Sequence, residues 1–530
     1  MFGYKEKQKR VSKVVSLVAP LGGINDTDPL AAMGTDQCID MLNFFPGNTT
    51  LRTRKGYKAW ATGMTGEVKT LMTMNLTDDT SKLFAVTDAG IYDISNPIQN
   101  PPIAYPLNSG DVSYIQFSNV AGQYLIGCNG VDPAFLYDGT KFITMTQAAT
   151  PTLPGEISGV DPAQFSYVNS HDGRLWFAQK NSLVLWYLTT DAIGGVASPF
   201  YIGGSTHRGG KIVDIAIWSF NAGNGLSAKF VVRTSGGEIV VYDGTDPEDI
   251  ATWSLESVFF ASAPVGTTEA YAEFGGDIVM LTRTGLIPLS RLVQGSANSS
   301  LYEESLTKNI SRTLNIFVNG AGFVNNWSII NVPVLQALVV IIPSTAQRGP
   351  IQYVMNILSG AWTRFDVPAT CGGVYTKRFY FGDDLGNVHV QGTVELDAVN
   401  FDGQGGSPVN SSLFSAYNYF DSPGVNKHFK LCRPIFQSAS PVSFIVQLNM
   451  DYSLRQIPGN PLPPEGGGTR YVWDDARWDN AQWSQTQGVF RPWTGVTGIG
   501  FCAALLMKVQ TSDFTSFPAI EFVYEEGGAI

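Results

Sequence analysis

The chain has 530 residues, of which 44% are hydrophobic and only 15% charged, with 56 glycines and a formal net charge of −11. That length holds two or three domains, or one large repeat domain with appendages. An acidic, sparsely charged chain excludes a protein that grips nucleic-acid phosphates over its surface, which needs clustered lysine and arginine, and it points to surface hidden against other copies or partners.

The chain opens on its one basic run, Lys5 to Lys13, KEKQKRVSK. It reads as a solvated tail, with phosphate binding as the other reading. No apolar core with a cleavage site accompanies it, so no signal peptide is expected. Leu21 to Gly66 then carries a strict order of parts: a glycine pair, an Asp-Pro turn, a small-residue patch, Asn43-Phe44-Phe45-Pro46, Arg52, Arg54, Lys55 and Gly56-Tyr57. The segment has no repeated apolar face and no catalytic motif. Residues 1–66 are expected to form an extended arm that cannot bury a core alone and holds contacts between subunits. Phe44, Phe45, Arg52 and Arg54 are its candidate interface residues.

From Lys69 to Gln391 one pattern recurs: a β-rich strand, a Gly, Asn or Asp turn, then a second strand with aromatic or branched residues. LFAVTDAGIYDIS, YLIGCNGVDPAFLYDGTKF, RLWFAQKNSLVLWY, KFVVRTSGGEIVVYDGTDPEDIATW and DIVMLTRTGLIPLS are five instances. YVMNILSGAWTRF and RFYFGDDLGNVHV are two less regular ones. Turn centres near Gly90, Gly130, Asn181, Gly236 and Gly285 are about 40 to 55 residues apart, the length of one four-stranded propeller blade. Tyr-Asp-Gly-Thr appears twice, at Tyr137 to Thr140 and Tyr242 to Thr245; there Asp should cap the backbone and Gly take a positive φ. The fold class is all-β, with a β-propeller-like repeat domain over residues 67–399 and room for six or seven blades. A large sandwich, or two stacked β-domains, is the alternative. The most apolar run, near Val332 to Pro343, is too short for a membrane span of about 20 residues.

Past Gly392 the pattern changes. NFDGQGGSP is a linker by composition, and residues 400–530 are expected to form a C-terminal, β-sandwich-like domain. Phe444 to Met450 alternates as a half-buried strand does. Asn460 to Gly468 is a flexible loop between strands. The tandem W-D-x-A-x-W places Trp473, Trp478 and Trp483 at steps of five, which suits neither one helix face nor one strand face. These indoles either form a stacking ledge for a partner protein or a sugar, or plug the edge of the domain. No amphipathic helix longer than two turns is expected anywhere.

Catalytic signals are missing. His171, His207, His389 and His428 lack metal-ligand spacing, and no nucleophile elbow, P-loop or zinc-protease motif occurs. Gly203 to Gly210, GGSTHRGG, could cradle a phosphate but lacks the P-loop lysine and helix, so a surface loop is expected. DGTDPED, with Asp243, Asp246 and Asp249, is a sparse calcium-like pattern read as a turn. No two carboxylates stand out as a glycosidase pair. No cofactor, no metal and no enzymatic activity are expected. Cys38, Cys128, Cys371, Cys432 and Cys502 are odd in number and far apart, as buried free thiols of a reducing compartment would be.

GGINDTDPLAAM followed by NFFPGNTTLRTRKGY resembles the start of tail nozzle, or tail-tube, proteins of short-tailed bacteriophages. YVMNILSGAWTRFD, FYFGDDLGNVHV, VNKHFKLCRPIF and the tryptophan tandem are similar to the same group, so the resemblance covers most of the chain. It implies a propeller-bearing subunit of a homo-oligomeric, hexameric ring in the virion tail, made in the host bacterial cytoplasm. It implies a place below the portal and its adaptor ring, with tail fibres or a needle as further neighbours. Genomic double-stranded DNA would pass through the channel without specific binding, and the ring would help to close it. Two rival classes remain: a receptor- or polysaccharide-binding propeller, and a polysaccharide-degrading enzyme. A cluster of Arg, Tyr and carboxylates on the inner strands would favour the enzyme.

Overall fold

The computed structural model describes residues 12–76, 80–221, 226–249, 251–266, 271–294, 305–321, 327–344, 349–457, 459, 461 and 488–529. The chain divides into two compact units: a sandwich unit of Met1–Lys58, Val354–Asp366 and Gly392–Ile530, and a propeller unit of Ala59–Tyr353 and Val367–Gln391. Among the described residues no helix is long and apolar enough to cross a membrane.

The propeller unit is a six-blade β-propeller arrangement. Its first five blade sheets are antiparallel meanders. The first runs Thr70–Met74, Lys82–Thr87, Gly90–Asp93 and Ile103–Pro106; the second Ser113–Asn119, Gly122–Cys128, Phe135–Tyr137 and Phe142–Thr144. The third is Phe165–His171, Arg174–Gln179, Val184–Tyr187 and Ser198–Tyr201, and the fourth Ile212–Asn221, Leu226–Thr234, Glu238–Asp243 and Ser254–Phe260. A three-stranded fifth uses Tyr271–Phe274, Asp277–Thr282 and Gly285–Pro288. The sixth takes Cys371–Tyr375, Arg378–Gly382 and Val388–Gln391 and is completed by Tyr57–Thr62 from far upstream. The hairpin Ser328–Val332/Ala337–Ile342 lies between the fifth and sixth, where Asn331 Nδ2 donates to the Glu273 carbonyl at 3.2 Å.

Blades stacked face to face bury both sides of their middle strands. Those strands are therefore continuous apolar runs and not alternating ones; LFAV at Leu83–Val86 and FVV at Phe230–Val232 are buried throughout. Between the third and fourth blades Trp176 and Trp253 stack at 5.6 Å, with Phe230 and Tyr242 beside them. Of the five anticipated turn centres, Gly130, Asn181 and Gly236 fall between the second and third strands of their blades, and Gly90 and Gly285 open the third strand. In the first Tyr-Asp-Gly-Thr, Asp138 Oδ1 accepts from the Thr140 and Lys141 amides, both at 2.8 Å. In the second, Asp243 pairs with Lys229 at 2.8 Å. Its glycine is obligatory: Gly244 sits at φ +134°, and a Cβ there would lie 1.9 Å from the Thr252 carbonyl oxygen.

The sandwich unit corrects two expectations. Residues 12–58 are not an arm without a core. Ser12–Val18 pairs in antiparallel register with 519–525, Gln37–Leu42 with Ser412–Ser415, and Leu51–Thr53 with Ser516 and Phe517. The boundaries at 66 and 399 accordingly give way to 58 and 391, with a further insertion at Val354–Asp366, which takes most of YVMNILSGAWTRF out of the blade series. Short apolar strands such as VVSLV are indistinct locally, because their partners lie at the other end of the sequence. One sheet is built on Ser516–Ala529 and Val425–Ser438, the other on Val409–Ser415, Ala503–Thr511 and Ser443–Met450. Phe429, Phe436, Phe517, Phe522, Leu413 and Met507 are fully or nearly fully buried. Phe436 and Phe444 meet at 5.4 Å.

A third correction concerns helices. Ser311–Ala321 forms an 11-residue helix. Ile310, Leu314, Phe317 and Val318 supply its buried stripe, at the i, i+4, i+7, i+8 spacing of one helix face. Asn315, Asn319 and Gly320 mask that stripe in the sequence.

Candidate functional site

The densest polar constellation of the sandwich unit forms around Arg54. Gln37–Leu42 ends at Asn43, which takes φ +58° and turns the chain into Phe44–Pro46. A hairpin to Leu51–Thr53 follows, and Arg54 comes back beside Asn43, whose carbonyl accepts from the Arg54 amide at 2.9 Å. The Arg54 side chain is 2% exposed. Its Nη1 and Nη2 hold the two oxygens of Asp397 at 2.6 and 2.7 Å, a bidentate pair. Nη2 also reaches Asp366 Oδ1 at 2.8 Å, and Nε donates to Asn43 Oδ1 at 2.8 Å. Asn43 Nδ2 adds bonds to Asp366 Oδ1 and the Asn410 carbonyl, each 2.6 Å. Burial disfavours the guanidinium charge, but the carboxylates of Asp397 and Asp366 outweigh it and hold Arg54 above its ordinary value. A planar fork of five donors suits this task, and a lysine would not replace it.

Gly56 passes close behind. Its amide donates to the Val394 carbonyl and its carbonyl accepts from the Gly392 amide, both at 2.9 Å. A Cβ on Gly56 would lie 1.9 Å from the Leu396 oxygen. The glycine is set by approach of the neighbouring backbone.

The arm's four candidate residues separate. Phe44 is fully buried and Arg54 nearly so, so their contacts are internal to the chain. Phe45 is half-buried and Arg52 exposed, paired across the hairpin. Trp473, Trp478 and Trp483, and the Asn460–Gly468 loop apart from a single residue, lie outside the described residues. Asn43, Asp366 and Asp397 escape notice in the sequence, since Asp366 and Asp397 stand 312 and 343 positions from Arg54.

Candidate ligand sites elsewhere turn inward. In GGSTHRGG the amides of His207 and Arg208 donate to the two carboxylate oxygens of fully buried Glu238, at 2.7 and 2.9 Å. A side-chain anion thus occupies the place a phosphate would need. In DGTDPED, Asp246 caps the turn and pairs with Arg174 at 3.1 Å. Among the described residues no group of three His, Cys, Asp or Glu could hold a metal ion. His389 Nε2 donates to the Asp383 carboxylate at 2.9 Å, and His171 meets the Gly244 carbonyl at 2.9 Å.

The inner strands do bring Arg, Tyr and a carboxylate together. Asp214 and Arg233, both nearly inaccessible, form an ion pair, and Arg233 Nη1 donates to the Leu281 carbonyl at 3.2 Å. Tyr271 donates to the Ile215 carbonyl at 3.2 Å, as Asn169 does at 2.7 Å, and burial pushes the Tyr271 hydroxyl up. Asp214 and Arg233 are thus satisfied by each other, and Tyr271 by backbone and Asn169. All five cysteines are buried free thiols, with Cys432 pushed up to about 12 by burial.

No family model matches the chain. No curated protein matches it either. Solved propellers do: BBS1N from a complex with ARL6DN is 12% identical, covers 65% of this chain and 99% of its own, with a TM-score of 0.39. The Pan2 WD40 domain of Neurospora crassa is 10% identical over 64% and 95%, with a TM-score of 0.34. YCF48 from Cyanidioschyzon merolae is 11% identical over 63% and 98%, with a TM-score of 0.33.

Proposed function

We propose that this chain is a structural subunit of a short phage tail, a nozzle ring of six copies below the portal and its adaptor that extends and closes the DNA channel. The observation that carries the reading is where the resembling phrases meet. Arg54 belongs to NFFPGNTTLRTRKGY, and Asp366 ends YVMNILSGAWTRFD; they bond at 2.8 Å. The phrases are thus parts of one built feature of the sandwich unit and not scattered turns. The buried ion pair Asp214–Arg233 and the inward-turned Glu238 of the propeller unit also suit a scaffold.

The mechanism in this reading is mechanical. DNA under pressure must slide, so a channel wall should not hold phosphate. A chain of charge −11, whose only basic run ends at Lys13 in the strand Ser12–Val18, offers repulsion or weak contact. Closure of a ring requires head-to-tail contacts related by rotation. Electron microscopy of the purified protein tests this: six-fold rings with an axial channel are expected. Only monomers, or particles without a channel, would overturn it.

A further inference from the structure

The sheet formed by Ser12–Val18, Ser516–Ala529, Val425–Ser438 and Thr494–Gly500 has two unlike faces. One is the sandwich core, with Phe429, Phe436 and Phe522 buried. The other is open. Cross-strand partners lie on the same face of a sheet, and the register aligns Val14 with Val523, Val523 with Leu431, and Leu431 with Gly495. The next row out aligns Ser12, Glu525, His428 and Ile499. Val14 is 62% exposed, Val18 75% and Ile499 63%. Trp493 is 44% exposed and carries the Arg433 guanidinium 4.4 Å above its ring.

Charge on this sheet is internally matched. Arg433 pairs with Glu521, Lys430 with Glu525, and Lys13 with Glu526. No carboxylate on the four strands is left without a cation. Ser12–Val18 is also an edge: one side is bonded along 519–525, and among the described strands nothing pairs with the other. Proteins normally block such an edge with charge, proline or a cover; here the one charge, Lys13, is paired with Glu526, and the strand otherwise presents serines and apolar residues.

We infer that this face and its open edge are the docking surface for a second copy of the chain. This deepens the ring reading and rests on it. Two copies of charge −11 repel, so they meet best where carboxylates are already neutralised and apolar side chains are exposed. Nucleic acid is a poor occupant, because the cations here are spoken for by Glu521, Glu525 and Glu526. Four strands spaced about 4.8 Å, each about seven residues long, give roughly 450 Å² of flat sheet. A stable contact uses about 800 Å² per partner. The face therefore supplies about half, and the docked copy must also cover the edge of Ser12–Val18.

The test uses the full chain in sedimentation velocity over a range of concentrations. Val14→Lys combined with Ile499→Lys is compared with wild type and with Val120→Lys, a control at a fully exposed hairpin turn of the propeller unit. The expected result is that wild type and control assemble alike, while the double variant needs at least tenfold more protein for half-assembly with an unchanged melting temperature. Undiminished assembly of the double variant overturns the docking face and leaves the ring reading standing. Wild type that stays monomeric throughout overturns the ring reading and this inference with it. Should the double variant not fold, hydrogen exchange of wild type decides: slowed exchange across Ser12–Val18 on assembly supports the face, and unchanged exchange overturns it.

Discussion

Arg54 and Asp397, 343 positions apart, form a two-point ion pair with N–O distances of 2.6 and 2.7 Å. It fastens the start of the sandwich unit to the segment that re-enters it after the propeller unit. Asp366, half exposed, adds a weaker third point. Removing one member of a buried pair leaves the other uncompensated, which costs about 3–5 kcal/mol. Arg54→Met should therefore lower the calorimetric transition of the sandwich unit by about that amount, and Arg54→Lys by less. A change within about 0.5 kcal/mol, the range of ordinary surface substitutions, would show that the constellation is ornamental.

Gly56 and Gly66 should respond oppositely to what their φ angles suggest. Gly66 sits at φ +86° with nothing within 4 Å of an added Cβ. Gly66→Ala should cost only backbone strain, about 1–2 kcal/mol. At Gly56 the Leu396 carbonyl blocks the added methyl, so Gly56→Ala must push two backbone segments apart. Its loss should reach the upper end of the 1–3 kcal/mol of overpacking, or pass it (about that range). Thermal unfolding of the two variants side by side checks the order, and a milder effect at Gly56 would refute the contact.

Acid should weaken the second blade through Asp132. Burial raises this carboxyl, but donors outweigh it: the Asn108 amide at 2.9 Å, Asn108 Nδ2 at 2.6 Å, Asn129 Nδ2 at 2.8 Å and the Ser109 amide at 3.3 Å. Its folded value lies below the ordinary one of about 3.9. The stabilisation is therefore complete above about pH 4 and is lost as pH falls through the folded value. Asp132→Asn should melt earlier than wild type at pH 7, with the gap narrowing toward pH 3. A gap that is constant from pH 7 to 3 would contradict this assignment.

Duplex DNA should bind the purified protein weakly and with little dependence on salt. Each phosphate contact adds about 0.9 to the log–log salt slope, so a conduit gives a slope near zero and a clamp gives several. Submicromolar affinity with a steep slope at physiological salt would sink the conduit and return the Lys5–Lys13 run to a phosphate-binding role.

The propeller was legible because its information is local. Gly90, Gly130, Asn181, Gly236 and Gly285 each punctuate a hairpin whose strands are near neighbours in sequence, and the period exposes them. Sandwich-unit pairing was not legible, since VVSLV at residues 14–18 specifies nothing until 519–523 arrives beside it. Arg54 drew attention as a basic residue in an irregular segment, yet its burial depends on two aspartates more than 300 positions away. The helix Ser311–Ala321 was hidden for the opposite reason: its stripe is local, but its polar and glycine residues give the backbone other options.

The insertion of one unit within the other has a consequence for synthesis. Lys13 and Glu526 are 513 positions apart. At about 5–20 residues per second, the first described strand leaves the ribosome roughly 25 to 100 s before the strand that receives it. The usual order, in which the N-terminal part of a protein folds first, is reversed here. The propeller can settle once Val388–Gln391 has met Tyr57–Thr62, while Ser12–Val18 waits with both backbone edges bare. Until Ser516–Ala529 has been made, the apolar side chains of Val14, Val15, Leu17 and Val18 have no partner strand to pack beside.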